Sequence, residues 1–415
     1  NLDVVVHIPL MDILANDDLL NEEEKVYANN GWTHIDFVVF NKMDKTLLLL
    51  SIFMFVFGLF MIFDASSMRS FLEYGTNTKY FFKQLIILIA SAIMSIMIMK
   101  IPLKRYNKLI HIISFVLIFM MCILLITGDK TNGTKSWFYI GKFGVQPSEF
   151  AKVVIILFTA VYYNINAKRL DNLMVALIPP CLGAIFTGLT FLQPDGGTGL
   201  IIFLITVFLF FISPVPKKIK VNASFVGLGL LVTMLFIMVV TGKSPLNDMQ
   251  KQRFNYSKPC TRYQEDTGYQ VCNGYIAINN GKIFSIEPGN SKQKYLYLPE
   301  AHTDFIFPII VEEMGLVTGI VVILIYGVMI FRILVIAQKS YNIENSLICY
   351  GAAAYIFFHV VINLTGVLGI LPLTGVPLPF LSYGGSFALS LAVALSLVQR
   401  VSIENYNFEK KKVLD

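Results

Sequence analysis

The sequence predicts an all-α polytopic membrane protein with about ten transmembrane helices and a large extracellular loop. Three observations predict it. Hydrophobic residues make up 55% of the 415 positions and charged residues only 14%, with a mean hydropathy of +0.66. A soluble domain carries about a quarter charged residues. Apolar runs of spanning length recur along the chain, and Lys and Arg segregate to alternate connections between them. A soluble enzyme is excluded. The formal charge of +6 does not point to nucleic acid, because the placement of the basic residues matters more than their sum.

Residues 1–45 differ from the rest. They contain the acidic stretch NDDLLNEEEK and two strand-like pieces, DVVVHIPL and HIDFVVF, and no run long enough to span. They read as a cytoplasmic N-terminal segment of unclear origin, a tail without catalysis; the chain starts at Asn1 and shows no signal-peptide pattern there. Spans are expected at 46–64, 80–99, 109–127, 149–164, 172–192, 199–213, 221–241, 305–335, 346–368 and 383–399, within a membrane domain over 46–400. Helices are required because lone strands would leave backbone groups unpaired in lipid. The short runs at 149–164 and 199–213 need neighbours to bury them or extension at their polar ends. Residues 401–415 form a basic tail.

The connections set orientation. Lys100, Lys104, Arg105 and Lys108, then Lys168 and Arg169, then Lys217, Lys218 and Lys220, then Lys339, then Arg400 and Lys410 to Lys412 share one side. That side is cytoplasmic by the positive-inside rule, and both termini join it. The opposite connections are 65–79, 128–148, 193–198, 242–304 and 369–382. At its length, 242–304 is expected to be functional or disordered, and its many aromatic residues favour packing. Among five cysteines there is no CxxC; Cys122, Cys181 and Cys349 lie in apolar runs as packing residues, and Cys260 and Cys272 lie in the long loop.

Four polar constellations gather on the outer side. In QPDGGT (193–198), Pro194 and the glycine pair make a tight turn, with Gln193 and Asp195 near membrane depth. Asp195 reads as a helix cap or as the wall of a polar cavity. In residues 132–152, Lys135, Trp137 and Lys142 form a basic and aromatic patch. Ser148 reads as a cap and Glu149 as a first-turn acid, and Lys152 lies three residues on, where it can pair with Glu149. LPLTGVPLPFLSYGGSF (371–387) cannot be a regular helix, so it is re-entrant structure or substrate contact. YLPEAHTDFIF (297–307) sets Glu300, His302, Thr303 and Asp304 before an apolar run, with Glu312 and Glu313 beyond. Thr303 or Asp304 is a cap there, or Asp304 is a general base.

QPSEFAK (146–152), QPDGGTG (193–199), GNSKQKYLYLPEAHTDFIF (289–307) and LPFLSYGGS (378–386), in this order, closely resemble the SEDS family, the cell-wall proteins of shape, elongation, division and sporulation. The resemblance covers roughly residues 36 to 400 and is stronger to the division branch, FtsW, than to the rod-elongation branch, RodA. It implies a peptidoglycan glycosyltransferase that polymerises lipid II on the outer face of the bacterial cytoplasmic membrane, at the division septum. It implies a class B penicillin-binding protein transpeptidase and other divisome proteins as partners. Asp304 matches the family's key aspartate, the base of an inverting transfer. Lys135, Trp137, Lys142, Lys152, Gln193, Asp195, Lys292, Lys294, Glu300, His302, Ser382 and Ser386 are the expected substrate-binding residues. Within that set Glu300 orients or supports, and His302 supplies a hydrogen bond behind the base. Glu149, Pro194, Cys260 and Cys272 are expected to be structural. No certain cofactor follows; a divalent cation, Mg or Mn, would fill the same electrostatic role as the lysines, and no cluster defines a metal site.

The chain departs from the family pattern at Gly196, where Leu is usual, at Glu287 and Pro288 before GNS, and at Phe387. With the loop outside, Cys260 and Cys272 are either a disulfide or two free thiols. A lipid II flippase or a scaffold that only activates the transpeptidase are the rival functions. A transporter places polar groups along a path through the midplane, whereas the polar motifs here cluster at the outer end.

Overall fold

The structure is a computed structural model that describes residues 42–128, 134–140, 143–227, 229, 256–285, 291–295 and 297–414. Residues Asp44–Asp415 form one compact unit. Its helices are α1 (Lys45–Tyr74), α2 (Lys79–Lys100), α3 (Tyr106–Thr127), α4 (Pro147–Ile165), α5 (Leu173–Leu192), α6 (Gly196–Ile212), α7 (Asp266–Gly281), α8 (Ile306–Gln338), α9 (Ile343–Val367) and α10 (Gly385–Leu414). A short antiparallel hairpin, β1 (Phe138–Ile140) and β2 (Phe143–Val145), precedes α4. Eight helices among the described residues are long and apolar enough to cross a membrane; α6, with 17 residues, is a ninth, shorter apolar helix. The expected span 221–241 lies outside the described residues beyond 227, apart from 229. The protein is a largely helical, multi-pass membrane protein.

Local chemistry explains the helix ends. The Asp44 side chain accepts from Leu47 N at 2.8 Å and opens α1, and Asn342 does the same for Asn345 N at 2.7 Å at the start of α9. Pro147 opens α4, where a missing N–H costs nothing. Ser148 was expected to cap this helix. The cap position is Gln146 instead, without a side-chain bond, and Ser148 Oγ is buried without a partner among the described residues. Helix α8 is broken at Gly315, whose φ of +83° suits glycine alone. The amides freed by the break are not orphaned: Leu316 N and Val317 N donate to the carbonyls of Lys282 and Ile283, at 3.0 and 3.3 Å. The chain leaving α7 is thereby docked into the break.

Helices α4, α9 and α10 pack on one another and form the centre, with 78%, 78% and 83% of their spanning windows buried against 11% for α2. These three also have the lowest mean hydropathy of the eight. The order inverts that of a soluble protein, because lipid solvates apolar side chains and the bundle interior solvates polar ones. The outward side chains are accordingly Ile52, Phe53, Phe82, Ile86, Phe115 and Phe119.

Candidate active site

Four segments far apart in sequence meet at one end of the bundle. Tyr355, His359 and Asn363 recur every four residues on α9 and share one face. Asn363 Nδ2 donates to the backbone carbonyls of Asp304 and Val376, both at 2.8 Å. It thus stitches the Asp304 loop to the irregular segment 371–384. The irregular segment abuts the start of α6, where a Cβ on Gly197 would lie 2.7 Å from Thr374 O. Gly375, with φ +69°, faces Asp304: a Cβ there would sit 3.7 Å from Asp304 Oδ2.

Asp304 is buried at 8% exposure, and its Oδ1 accepts from Thr303 Oγ1 at 3.2 Å. Neither Thr303 nor Asp304 caps α8; the cap position is Phe305, without a side-chain bond. Glu300 Oε2, 2.7 Å from the same Thr303 hydroxyl, is the alternative acceptor. Ser382 Oγ donates to Thr303 O at 2.5 Å and accepts from Leu378 N at 2.8 Å, and Tyr383 N donates to His302 O at 2.9 Å. The catalytic candidate, Glu300, His302 and Ser382 are therefore one constellation.

His302 packs between the rings of Tyr80 and Tyr383, at 4.8 and 5.6 Å. Burial, helped by the Arg69 guanidinium, pushes its pKa down to about 4. It is uncharged at neutral pH. Burial pushes the neighbouring Tyr383 phenol up to about 12. Arg69 Nη1 donates to Pro299 O at 2.7 Å and lies 3.6 Å from Glu300, while its Nε pairs with Glu73 at 2.9 Å. Tyr80 donates to the same Glu73 at 2.6 Å. A cavity of about 240 Å³ opens beside this network, lined by Arg69, Glu73, Lys294, Leu298 and His302 among others.

A strap holds the loop. Lys294 Nζ is 2.8 Å from both Asp64 and Glu313. Ser291 N donates to Glu313 at 3.0 Å, Gln293 N to Glu312 at 3.2 Å, and the Ser291 hydroxyl to Glu312. Burial works to lower the Lys294 pKa, but the two hydrogen-bonded carboxylates outweigh it and hold the pKa above the ordinary lysine value.

A third cluster lies deeper. Lys152 and Glu149 pair at 2.8 Å, as their spacing on one helix face predicts, with side-chain exposures of 0% and 3%. Lys152 Nζ is also 3.0 Å from His359 Nε2, and His359 Nδ1 is 3.2 Å from Pro377 O. A carbonyl only accepts, so Nδ1 carries the proton and Nε2 accepts from the ammonium. Nearby, Asp195 accepts from Thr198 N at 3.1 Å, capping α6, and from Gln146 Nε2 at 2.7 Å. Gln146 N donates to Ser386 Oγ at 2.9 Å. Gln193 donates to Met121 O at 2.9 Å, and its carbonyl accepts from Lys135 N at 3.2 Å; Pro194 sits in the turn between them and α6.

Trp137 and Lys135 are half-buried, Lys292 is exposed, and Lys142 lies outside the described residues. Cys260 and Cys272 are joined as a disulfide before and within α7. Among the described residues, no group of three or more His, Cys, Asp or Glu side chains is placed to hold a metal ion.

Sequence reading passed over Asp64, Arg69, Glu73, Tyr80, His359 and Asn363. Ending the first span at 64 turned the last turns of α1 into a loop and hid Arg69 and Glu73. His359 and Asn363 carried a legible signal: polar residues four apart inside an otherwise apolar span.

The cell cycle protein family that includes FtsW, RodA and SpoVE matches residues 44–407. The chain is 34% identical over 374 residues to a probable peptidoglycan glycosyltransferase FtsW of Bacillus subtilis, covering 89% of this chain and 93% of that one. It is 31% identical to the stage V sporulation protein E of the same organism, covering 87% and 96%. A chain from a structure of a peptidoglycan synthase complex superposes with a TM-score of 0.69 over 88% of this chain and 98% of that one; at 24% identity it speaks for the fold. By sequence over nearly its whole membrane unit, and by fold, the chain belongs to the FtsW/RodA/SpoVE family of cell cycle proteins.

Proposed function

We propose that the chain is a peptidoglycan glycosyltransferase of cell division that polymerises lipid II at the outer face of the bacterial cytoplasmic membrane. The sugar 4-hydroxyl of one lipid-linked substrate attacks C1 of the growing strand. Asp304 takes the hydroxyl proton, and polyprenyl pyrophosphate leaves from the opposite face with inversion. No second carboxylic acid is needed to protonate the leaving group, because pyrophosphate departs as an anion. The observation that carries this reading is the placement of Asp304, where the loop 297–305, the segment 374–376 and α9 converge.

The cations divide by geometry. Lys152 and Lys294 are already paired with carboxylates inside the protein. Lys135 and Lys292 have no carboxylate partner among the described residues, so they are the better candidates to meet the pyrophosphate charge. A ten-span topology with both termini cytoplasmic, and 242–304 as the large extracellular loop, follows from the basic connections. A class B penicillin-binding protein transpeptidase and other divisome proteins are the fitting partners, since a polymerised strand must be cross-linked.

The test supplies labelled lipid II to the purified protein with its transpeptidase partner, beside Asp304→Asn. Long glycan products are expected from the first and none from the second, with the partner still bound. Equal polymer from both removes Asp304 as the base.

A further inference from the structure

The Thr303 hydroxyl stands between two carboxylates, 2.7 Å from Glu300 Oε2 and 3.2 Å from Asp304 Oδ1. It has one hydrogen and cannot donate to both at once. The two acids differ in access to water: Asp304 is buried, whereas 31% of the Glu300 side chain is exposed. We infer that Thr303 and Glu300 form a proton exit that returns Asp304 to the carboxylate after each sugar transfer. The inference rests on the reading of Asp304 as the base.

The step balances. After the transfer, Asp304 carries the proton of the attacking hydroxyl. That proton passes to the Thr303 oxygen as the Thr303 hydrogen passes to the Glu300 carboxylate. Glu300 gives it to water, and the Thr303 hydroxyl rotates back. Asp304 and Glu300 end as carboxylates and Thr303 as an alcohol, with no other reactant needed. A polymerising enzyme repeats its chemistry many times on one strand, so a buried base that kept its proton would stop after one bond.

The surroundings keep the relay in place. Thr303 N and Phe305 N both donate to the Glu300 carbonyl, at 3.2 and 3.1 Å, closing the turn that carries all three side chains. Ser382 holds the Thr303 carbonyl from the other side. Arg69, itself paired with Glu73, lies 3.6 Å from Glu300 and fixes where that side chain sits. His302, uncharged and enclosed between two tyrosines, does not compete for the charge. Thr303 and Glu300 never touch the sugar; both act through Asp304.

The experiment measures steady-state polymerisation of labelled lipid II by the full chain with its transpeptidase partner, for wild type, Thr303→Val, Thr303→Ser, Glu300→Gln and Asp304→Asn. Thr303→Val is expected to lower kcat by about tenfold or more with KM for lipid II unchanged. Thr303→Ser keeps most of the rate, and added imidazole, a small proton carrier, restores Thr303→Val in proportion to its concentration. Glu300→Gln responds to imidazole in the same way. A merely structural threonine would give no such buffer dependence. Thr303→Val at the wild-type rate, or a slow Thr303→Val that imidazole leaves unchanged, overturns the relay. If Asp304→Asn is inactive in that same experiment, the base assignment survives and the exit alone is rejected; polymer from Asp304→Asn rejects both.

Discussion

Lys152 and Lys294 are both buried, and both stand in motifs where a pyrophosphate-binding cation was expected, yet their electrostatic sites are built differently. Lys152 lies in the central trio of helices with one carboxylate, Glu149, and an uncharged imidazole, His359. Its ion pair is sealed from water, with side-chain exposures of 0% and 3%. Lys294 ties three chain segments together through two carboxylates, Asp64 and Glu313. Asp64 is 21% exposed, so water screens part of its charge. The difference teaches that a motif lysine in this fold organises the protein's own acids, in one place within a single helix and in the other across a strap that leads into the Asp304 loop.

Removing each cation should separate the two roles. Lys152→Met leaves Glu149 buried without a partner, a change that costs roughly 3–5 kcal/mol when a sealed pair is broken. The expected readout is a large drop in thermal unfolding temperature in detergent. Adding Glu149→Gln to Lys152→Met should recover most of it, since the amide carries no charge. A Lys152→Met protein that unfolds at the wild-type temperature would show that the pair is not sealed.

Lys294→Met should cost less, about 3 kcal/mol, at the low end for a broken buried pair because Asp64 reaches water. Its larger effect falls on polymerisation, because the strap 291–294 runs into the loop that presents Asp304. Asp64→Asn is milder, since Lys294 keeps Glu313. The sign of the pH dependence follows from the raised Lys294 pKa. The contribution is fully present below the unfolded lysine value, about 10.4, and is lost as pH rises through the folded one. Wild type and Lys294→Met should therefore keep a constant difference in unfolding temperature from pH 7 to 9. A difference that vanishes in this range would assign the strap's strength to something other than this ammonium.

How much of this the sequence disclosed depends on whether a residue's meaning is local. The Glu149–Lys152 pair was readable because three residues on a helix fix a common face. The Asp195 cap was one of two open readings, cap or cavity wall; the structure gives the cap through Thr198 N and adds Gln146 as a second partner. For Asp304 the sequence left capping and base chemistry open, and the cap reading falls because the cap position of α8 is Phe305, without a side-chain bond. Long-range partners were not readable. Nothing near Lys294 in sequence points to Asp64, 230 residues away, and nothing near Asp304 points to Asn363. The span at 149–164 looked weak because it is short; burial by its neighbours at the centre of the bundle is what the structure gives it as α4. The C-terminal end of α1 was misjudged for a related reason: Arg69 and Glu73 read as a loop, but they are held by the 299–300 turn and Tyr80.

The smallest effect concerns His302, two residues before Asp304 in the same loop. His302 is uncharged in the fold because burial, and then Arg69, disfavour the imidazolium, with Glu73 opposing weakly. Its folded pKa of about 4 lies below the unfolded value of about 6.5. Between these values the unfolded chain binds the proton and the folded protein does not, so stability falls as pH falls from about 6.5 to about 4. Below about 4 both states are protonated and no further loss accrues from this group. Between pH 7 and pH 5 the loss is about 2 kcal/mol, at 1.36 kcal/mol per pKa unit. His302→Phe keeps an aromatic ring between Tyr80 and Tyr383 and removes the titration. Its unfolding temperature should lose this part of the acid sensitivity while staying near wild type at pH 7. Identical pH profiles for the two proteins would mean that His302 does not titrate differently on folding, and that the enclosure by the two tyrosines is looser than the ring distances of 4.8 and 5.6 Å imply.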